Sequence, residues 1–165
     1  MVTLNATNLV EDFFGRLCRL FIPIETNRFT GKGKNIGVCT LSSLSLLKEI
    51  SADQYLMKKI AIAGRLFSEN KGIDQIVRYC NQNESVKHLV VCGIDTKGHL
   101  AGNALLCLHE YGVGTDGRIL NSSGHRPFVS LAFEAIEAFR KNVCILNLIG
   151  VTDLKVIKGC INNIQ

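Results

Sequence analysis

From Ile36 onward, short apolar runs rich in Val and Ile alternate with longer segments whose apolar residues recur at helical spacing. The strand candidates are Ile36–Leu41, Ile60–Leu66, Val86–Cys92 and Val143–Leu148. The helical stripes are Ile73, Ile76, Val77 and Cys80; Ala101, Ala104, Leu105 and Leu108; and Val129, Phe133, Ile136 and Phe139. This alternation predicts a Rossmann-like, three-layer α/β domain, in which a mainly parallel sheet is flanked by helices. Ligands in such sheets bind beyond the carboxyl ends of the strands, so the loops after the strands are the candidate sites.

The residues before this alternation predict a separate N-terminal unit. Residues 8–22 have the pattern of an amphipathic helix, with Asn8 and Glu11 forming a capping box at its start. The apolar stripe consists of Leu9, Val10, Phe13, Phe14, Leu17 and Phe21. We expect this stripe to pack against the domain core; docking to a partner or to a membrane surface is the alternative. A glycine-rich connector, 30–35, follows the helix, so we divide the chain into residues 1–35, an N-terminal helix with a linker, and residues 36–165, the ligand-binding α/β domain.

Composition narrows the class of protein. A chain of 165 residues with 47% hydrophobic content suits one globular domain. The net charge of +5 is spread along the sequence and Trp is absent, so we expect no binding of nucleic acid. No apolar run approaches the ~20 residues of a membrane helix, and the N-terminus has no signal-peptide layout. Seven cysteines without framework spacing suit a reducing compartment. We therefore expect a cytoplasmic protein that does not itself insert into a membrane.

The segment that follows the third strand candidate carries the most informative chemistry. His99 lies in the turn between that strand and the next helix, which Asp95 or Thr96 can cap. Gly98 and Gly102 on either side leave room for a large, flat ligand to approach the backbone. The positive end of the helix dipole favours a neutral imidazole, the form that binds a metal. A solvated histidine in a tight turn is the alternative interpretation.

Other candidate motifs are weaker. His88, His109 and His125 lack the spacing of a zinc site, and no nucleophile elbow occurs. The stretch 112–117 matches the glycine pattern of dinucleotide-binding loops, but it follows a helix instead of a strand, which indicates a helix C-cap at Gly112. Glu69 and Asn70 follow the second strand candidate, on the same rim as His99. They either bind a ligand or start the next helix.

An ordered set of short motifs resembles a known family. The motifs are Gly37–Ser43, Glu69–Ile73, Cys92–Gly102, Leu108–Glu110, Gly117–Ile119 and Pro127–Phe128, with Lys-Gly-His-Leu-x-Gly at the centre. Together they resemble the corrinoid-carrying A subunit of tetrahydromethanopterin S-methyltransferase, in order from about Ile36 to Val151. That family belongs to a methanogen membrane complex that moves a methyl group to coenzyme M and exports sodium. The resemblance implies cobalamin as the cofactor, with His99 as the axial cobalt ligand.

The implied activity is that of a methyltransferase component whose chemistry is carried by the cofactor. Co(I) would take the methyl group from methyl-tetrahydromethanopterin or a related donor, and methyl-Co(III) would give it to a thiol such as coenzyme M. The implied partners are the other methyltransferase subunits or a separate methyl-donor protein, which could hold the chain at the membrane periphery. Two alternatives remain open: a non-catalytic corrinoid-binding or regulatory protein, and a nucleotide-binding α/β protein in which His99 is incidental.

The resemblance also assigns a set of residues around the corrinoid. The expected cofactor-binding residues are Leu41, Ser42, Glu69, Asn70, Gly72, Gly93, Gly98, His99, Leu100, Gly102, Pro127 and Phe128. No catalytic residue independent of the cofactor is expected.

Two departures from related patterns change what we expect. Other cobalamin domains carry Asp-x-His-x-x-Gly, and Lys97 stands here at the place of the acid, so coordination by His99 is expected to be weaker or differently arranged. Membrane-bound family members carry a C-terminal transmembrane helix, whereas the segment before Gln165 is too short and too polar to cross a bilayer. We therefore expect a soluble homologue or a fragment.

Overall fold

The computed structural model describes residues 27–164, so the helix predicted over residues 8–22 lies outside the described residues. The strands are β1 (Arg28–Thr30), β2 (Ile36–Cys39), β3 (Ile62–Gly64), β4 (His88–Gly93) and β5 (Cys144–Ile149). The helices are α1 (Leu44–Ala52), α2 (Gln54–Lys59), α3 (Lys71–Gln82), α4 (Ala101–Tyr111), α5 (Phe133–Asn142) and α6 (Leu154–Asn162).

The strands form a mixed five-stranded sheet in the order β1-β3-β2-β4-β5. Four strands are parallel, with Val38 paired to Ala63 on β3 and to Val90 on β4, and Val90 paired in turn to Leu146 on β5. β1 runs antiparallel to β3 at the edge, where Arg28 faces Gly64. The predicted α/β class is confirmed, and the prediction of a mainly parallel sheet is correct in part, because the edge strand β1 is antiparallel.

The sequence pattern explains most of these elements. β2 and the central part of β4 are buried on both faces, and such strands read as continuous apolar runs instead of alternating ones. Each predicted strand overlaps an observed strand, and β4 and β5 extend one residue beyond their predicted ends, to Gly93 and Ile149. The first two helical stripes fall on α3 and α4, but the third is only partly right: α5 begins at Phe133, whose side chain is 59% exposed, while Ile136 and Phe139 are buried.

Two groups of buried side chains divide the helices between the faces of the sheet. One core includes Ile73 of α3, Leu105 of α4 and Phe139 of α5. The other includes Leu47 of α1 and Ile157 of α6, together with residues of α2. Both broad faces of the sheet are therefore covered by helices, and the loops at the carboxyl ends of the parallel strands remain as the open rim.

Part of the segment predicted as a linker belongs to the sheet. β1 lies before residue 36, and beyond it the N–H groups of Gly31 and Gly33 donate to the carbonyls of Ala61 and Ile60, each at 2.9 Å. A Cβ at Gly31 would lie 2.1 Å from the carbonyl oxygen of Ile60, so this close approach requires glycine. The connector is thus held against the turn that precedes β3, and the division at residue 36 stays a prediction.

No helix within residues 27–164 is long and apolar enough to cross a membrane.

Candidate functional site

Hydrogen bonds join the loops that follow β2 and β4 into one rim. The Ser42 N–H and hydroxyl donate to the Ile94 carbonyl at 3.1 and 2.6 Å, and the Ile94 N–H donates to the Ser43 hydroxyl at 2.9 Å. Gly93 has a φ of 80°, and a Cβ there would lie 2.4 Å from the Thr40 carbonyl oxygen. The neighbouring parallel strands β2 and β4 continue into helices on opposite faces of the sheet, since α1 packs in one core and α4 in the other. The crevice between two such strands, at their carboxyl ends, is where ligands bind in sheets of this kind, and the rim lies there.

The turn that carries His99 is held by the start of α4. Asp95 accepts hydrogen bonds from the N–H groups of Gly102 at 2.8 Å and Asn103 at 2.9 Å, and the Thr96 hydroxyl accepts one from Ala101 at 3.2 Å. Both residues predicted as caps therefore satisfy N–H groups of the first turn. The backbone reverses just before the helix, at Leu100, which has a φ of 46°. This turn leaves the imidazole of His99 at the surface, with 59% of its side chain exposed.

A buried carboxylate fixes one nitrogen of that imidazole. Glu69, which is 2% exposed, lies with its two carboxylate oxygens 2.9 and 3.2 Å from His99 Nδ1. One of these oxygens also accepts the Arg126 N–H at 3.1 Å. Burial raises the pKa of Glu69, but hydrogen bonds from its own backbone N–H, from His99 and from Arg126 outweigh burial and lower that pKa below its usual value.

The protonation of this pair follows from its chemistry. An ionised carboxylate can only accept, so the shared proton is assigned to Nδ1 of His99. In the neutral imidazole Nε2 then carries the lone pair, and Nε2 makes no hydrogen bond to any residue in the part of the chain that the structure describes. A carboxylate that orients a histidine in this way is the usual outer partner of a metal-binding imidazole.

The carboxylate that contacts His99 does not belong to the sequence motif around it. Lys97 is exposed, and the acid expected two residues before His99 is absent. The carboxylate comes instead from the loop after β3, thirty residues away in the sequence. The weaker or differently arranged coordination expected of His99 stays a prediction; the structure shows a carboxylate at His99 that comes from another loop.

The loop over residues 121–128 closes this corner of the site. A Cβ at Gly124 would lie 2.7 Å from the carbonyl oxygen of His99 and 3.5 Å from Cγ of Glu69, so the loop packs directly on the pair. The Ser123 N–H donates to the side chain of Asn103 on α4 at 2.9 Å. Sequence reasoning missed Gly124 and Arg126, because a backbone N–H leaves no mark in the side-chain pattern; the only signal was the glycine and proline content of the loop.

The remaining residues predicted for the site lie at different depths. Four of them are buried and pack beneath the rim: Leu41, Gly93, Gly102 and Pro127. Four are half-buried: Ser42, Asn70, Gly72 and Leu100. Gly98 and Phe128 are exposed, as His99 is.

Asn70 and Gly102 also have structural roles. The Asn70 side chain accepts the Lys71 N–H at 2.7 Å and so starts α3, which was one of its two predicted roles. A Cβ at Gly102 would lie 3.0 Å from atoms of Asp95, Leu41 and Ile149, so α4 approaches the sheet closely at this point.

The described residues contain no ready-made site for a bare metal ion. Within residues 27–164, no group of three or more His, Cys, Asp or Glu side chains could hold one. Burial raises the pKa of Cys39 and of Cys92 to about 12, so both remain neutral thiols near neutral pH. A metal at His99 would therefore need most of its donors from outside residues 27–164.

Comparisons with known proteins give the family. A family model described as the A subunit of tetrahydromethanopterin S-methyltransferase matches residues 24–165. The A subunit of the "Putative methyltransferase Mtx" of Methanosarcina acetivorans is 32% identical over 143 residues, which cover 86% of this chain and 68% of that protein. The A subunit of the tetrahydromethanopterin S-methyltransferase of Methanosphaera stadtmanae is 33% identical over 147 residues, covering 86% of this chain and 57% of that protein. The aligned region thus spans about half to two thirds of the length of these relatives. The family that the motifs predicted is confirmed, and the chain belongs to the family of tetrahydromethanopterin S-methyltransferase A subunits.

Proposed function

We propose that this chain binds a corrinoid at the rim formed by the loops after β2, β3 and β4, and that Nε2 of His99 is an axial ligand of its cobalt. The observation that carries the proposal is the contact between His99 Nδ1 and the buried carboxylate of Glu69. That contact holds the ring and leaves the lone pair of Nε2 available at the surface.

The set of donors suits a corrinoid better than a bare ion. The corrin ring supplies the equatorial nitrogens of its cobalt, so the protein needs to offer only one axial ligand. His99 offers one such nitrogen, and no multidentate cluster occurs within residues 27–164. When bound, the cofactor would supply a nucleophilic cobalt centre able to accept a methyl group and pass it to a thiolate.

The residues around His99 give a broad ligand both space and apolar surface. A Cβ at Gly98 would meet nothing within 4 Å, so the backbone beside His99 is open to a broad ligand. Phe67 follows β3, Ile94 follows β4 and Phe128 lies in the 121–128 loop; they are 41%, 51% and 39% exposed. Arg65 and Arg118 lie over the rings of Phe67 and Phe128. In this account the three apolar side chains contact the apolar edge of the macrocycle, while Glu69 keeps the proton of His99 on Nδ1.

The function that we propose is that of a methyl carrier, the corrinoid component of a methyltransferase. The donor would be methyl-tetrahydromethanopterin or a related molecule, and the acceptor would be a thiol such as coenzyme M. Other methyltransferase subunits or a separate methyl-donor protein would complete the reaction. Family membership supports this proposal at the level of a methyltransferase component.

The structure gives little support to the nucleotide-binding alternative. The glycine stretch that begins at Gly112 follows α4, and Gly112 ends that helix with a φ of 76°. The N-terminus of α4 is already capped by the carboxylate of Asp95, which leaves it unsuited to a phosphate.

The test is to add cobalamin to the purified full chain, remove the excess, and record the absorbance spectrum. We expect the wild-type chain to retain the corrinoid, and we expect the bound spectrum to change in His99→Ala. Failure of the wild-type chain to retain any corrinoid would refute the proposal. Methyl transfer from methylcobalamin-loaded protein to a thiol, measured with and without partner subunits, separates a carrier from a non-catalytic corrinoid-binding protein.

A further inference from the structure

A cavity lies between the sheet and α3, and Gly72, one of the residues predicted for the corrinoid site, is part of its lining. Its volume is about 170 Å³. The strand residues that line it include Gly37 and Ile62, and the helix residues include Ile76 and Tyr79. Most of the lining residues are apolar, so the cavity lies at the edge of the hydrophobic core on this face of the sheet.

This part of the sheet has less cover on one face than on the other. Ala63 of β3 points to the face of α1 and is fully buried. Its neighbours Ile62 and Gly64 are only half-buried, and both line the cavity. Every helical residue that lines the cavity belongs to α3, so within residues 27–164 no helix covers its β1 side.

The described chain begins at the same place. Asn27 and Arg28 line the cavity, and the Asn27 carbonyl accepts the Arg65 N–H at 3.0 Å. Twenty-six residues precede Asn27 in the sequence. The stretch from Phe21 to Asn27 spans at most about 20 Å, so a helix that ends near Phe21 ends within reach of the cavity.

We propose that residues 8–22 form an amphipathic helix of this chain that packs its apolar stripe across the β1 side of the cavity. The stripe contains three phenylalanines, and a cavity of about 150 Å³ is large enough for a benzene ring. One Phe ring therefore fits the cavity, while the rest of the stripe covers Ile62, Ile76 and Tyr79. The short tether gives the helix a high effective concentration at this surface.

The test measures amide hydrogen exchange in the full chain, with a pair of matched variants on each side of the contact. Leu17→Glu puts a charge into the stripe, and Gly15→Glu puts the same charge on the opposite helix face. Ile76→Glu puts a charge into the cavity wall, and Gln82→Glu puts it at an exposed position on the same helix, α3.

We expect Leu17→Glu and Ile76→Glu each to raise exchange in residues 8–22 by about tenfold or more, since each replaces an apolar side chain of the contact with a charge. Leu17→Glu should also raise exchange at Ile76 and Tyr79 but not in α6. The double variant should add little, and the two controls should match the wild-type chain.

Three results would overturn the proposal. Exchange in residues 8–22 that is unprotected in the wild-type chain would show that the segment is not docked. An effect of Leu17→Glu on residues 8–22 without any effect on α3 would place the helix elsewhere. A wild-type dimer in sedimentation that Leu17→Glu dissociates would make a second copy the occupant. If Ile76→Glu also raises exchange in α6, it has unfolded the domain, and the effect of Leu17→Glu on α3 then decides.

Discussion

The substitution Glu69→Gln separates the orienting role of this side chain from its size. Glutamine keeps the shape and can still accept the Arg126 N–H, which now lies 3.1 Å from the carboxylate. It removes the negative charge that faces His99 Nδ1 at 2.9 Å. If the amide NH₂ turns toward Nδ1, the proton moves to Nε2 and the ring loses the lone pair that would bind cobalt.

The expected loss is about an order of magnitude in affinity. Hydrogen bonds to charged groups contribute about 1.5–3 kcal/mol and neutral ones about 0.5–1.5 kcal/mol, so loss of the charge costs about 1–2 kcal/mol. Water screens part of this loss because the His99 side chain is 59% exposed, whereas Glu69 is buried. A cost near 1.4 kcal/mol corresponds to about tenfold weaker binding. Outer partners of metal-binding histidines typically affect affinity by about 10–100-fold.

The assay is a titration of the purified full chain with cobalamin, followed by absorbance and equilibrium dialysis. Glu49→Gln is the matched control, because it removes one carboxylate at an exposed position on α1. We expect Glu69→Gln to weaken binding about tenfold and the control to bind like the wild-type chain. If Glu69→Gln binds within twofold of the wild-type chain while His99→Ala does not, the reasoning about Glu69 is wrong.

Three further predictions concern stability and reactivity. Because folding lowers the pKa of Glu69, its ionised form stabilises the fold above the unfolded pKa of about 4.3, and this stabilisation is lost as the pH falls through the folded pKa. The difference in Tm between the wild-type chain and Glu69→Gln should therefore narrow below about pH 5. A difference that stays constant with pH would contradict this. Gly102→Ala should destabilise the fold by about 1–3 kcal/mol in urea unfolding, because the added Cβ would lie 3.0 Å from three atoms. Gly159→Ala should instead stabilise α6 by up to about 1 kcal/mol, because a Cβ there meets nothing within 4 Å. Equal effects of the two substitutions would refute the packing argument. Iodoacetamide should label the exposed Cys144 well before Cys39, because burial raises the pKa of Cys39 to about 12. Mass spectrometry measures the order of labelling, and early labelling of Cys39 would contradict the prediction.

Much of the fold was predictable because apolar runs report burial directly. β2 and β4 are central parallel strands, and their continuous Val- and Ile-rich runs were enough to identify them. β1 is three residues long and largely exposed, so it carries no periodic signal, and its pairing with β3 depends on tertiary contacts. α1 was missed although Leu46, Leu47 and Ile50 lie at helical spacing, because this stripe is shorter than those that were used.

The candidate site was predictable in place but not in chemistry. His99 and Glu69 were both expected on the same rim, because loops after parallel strands meet at one edge of a sheet. Their direct contact was not predicted, since a motif describes residues near each other in sequence and this pair is thirty residues apart. Arg126 contacts Glu69 through its backbone N–H, a group that every residue other than proline possesses.

The most direct test of the account asks whether a nitrogen of His99 binds cobalt. The chain is prepared with ¹⁵N-labelled histidine and loaded with unlabelled corrinoid, the cobalt is reduced to paramagnetic Co(II), and the electron paramagnetic resonance spectrum is recorded. We predict that the axial-nitrogen splitting is a doublet from ¹⁵N and that this doublet is absent in His99→Ala. A triplet from unlabelled nitrogen, unchanged in His99→Ala, would show that the cofactor's own base is the ligand and would contradict the central claim.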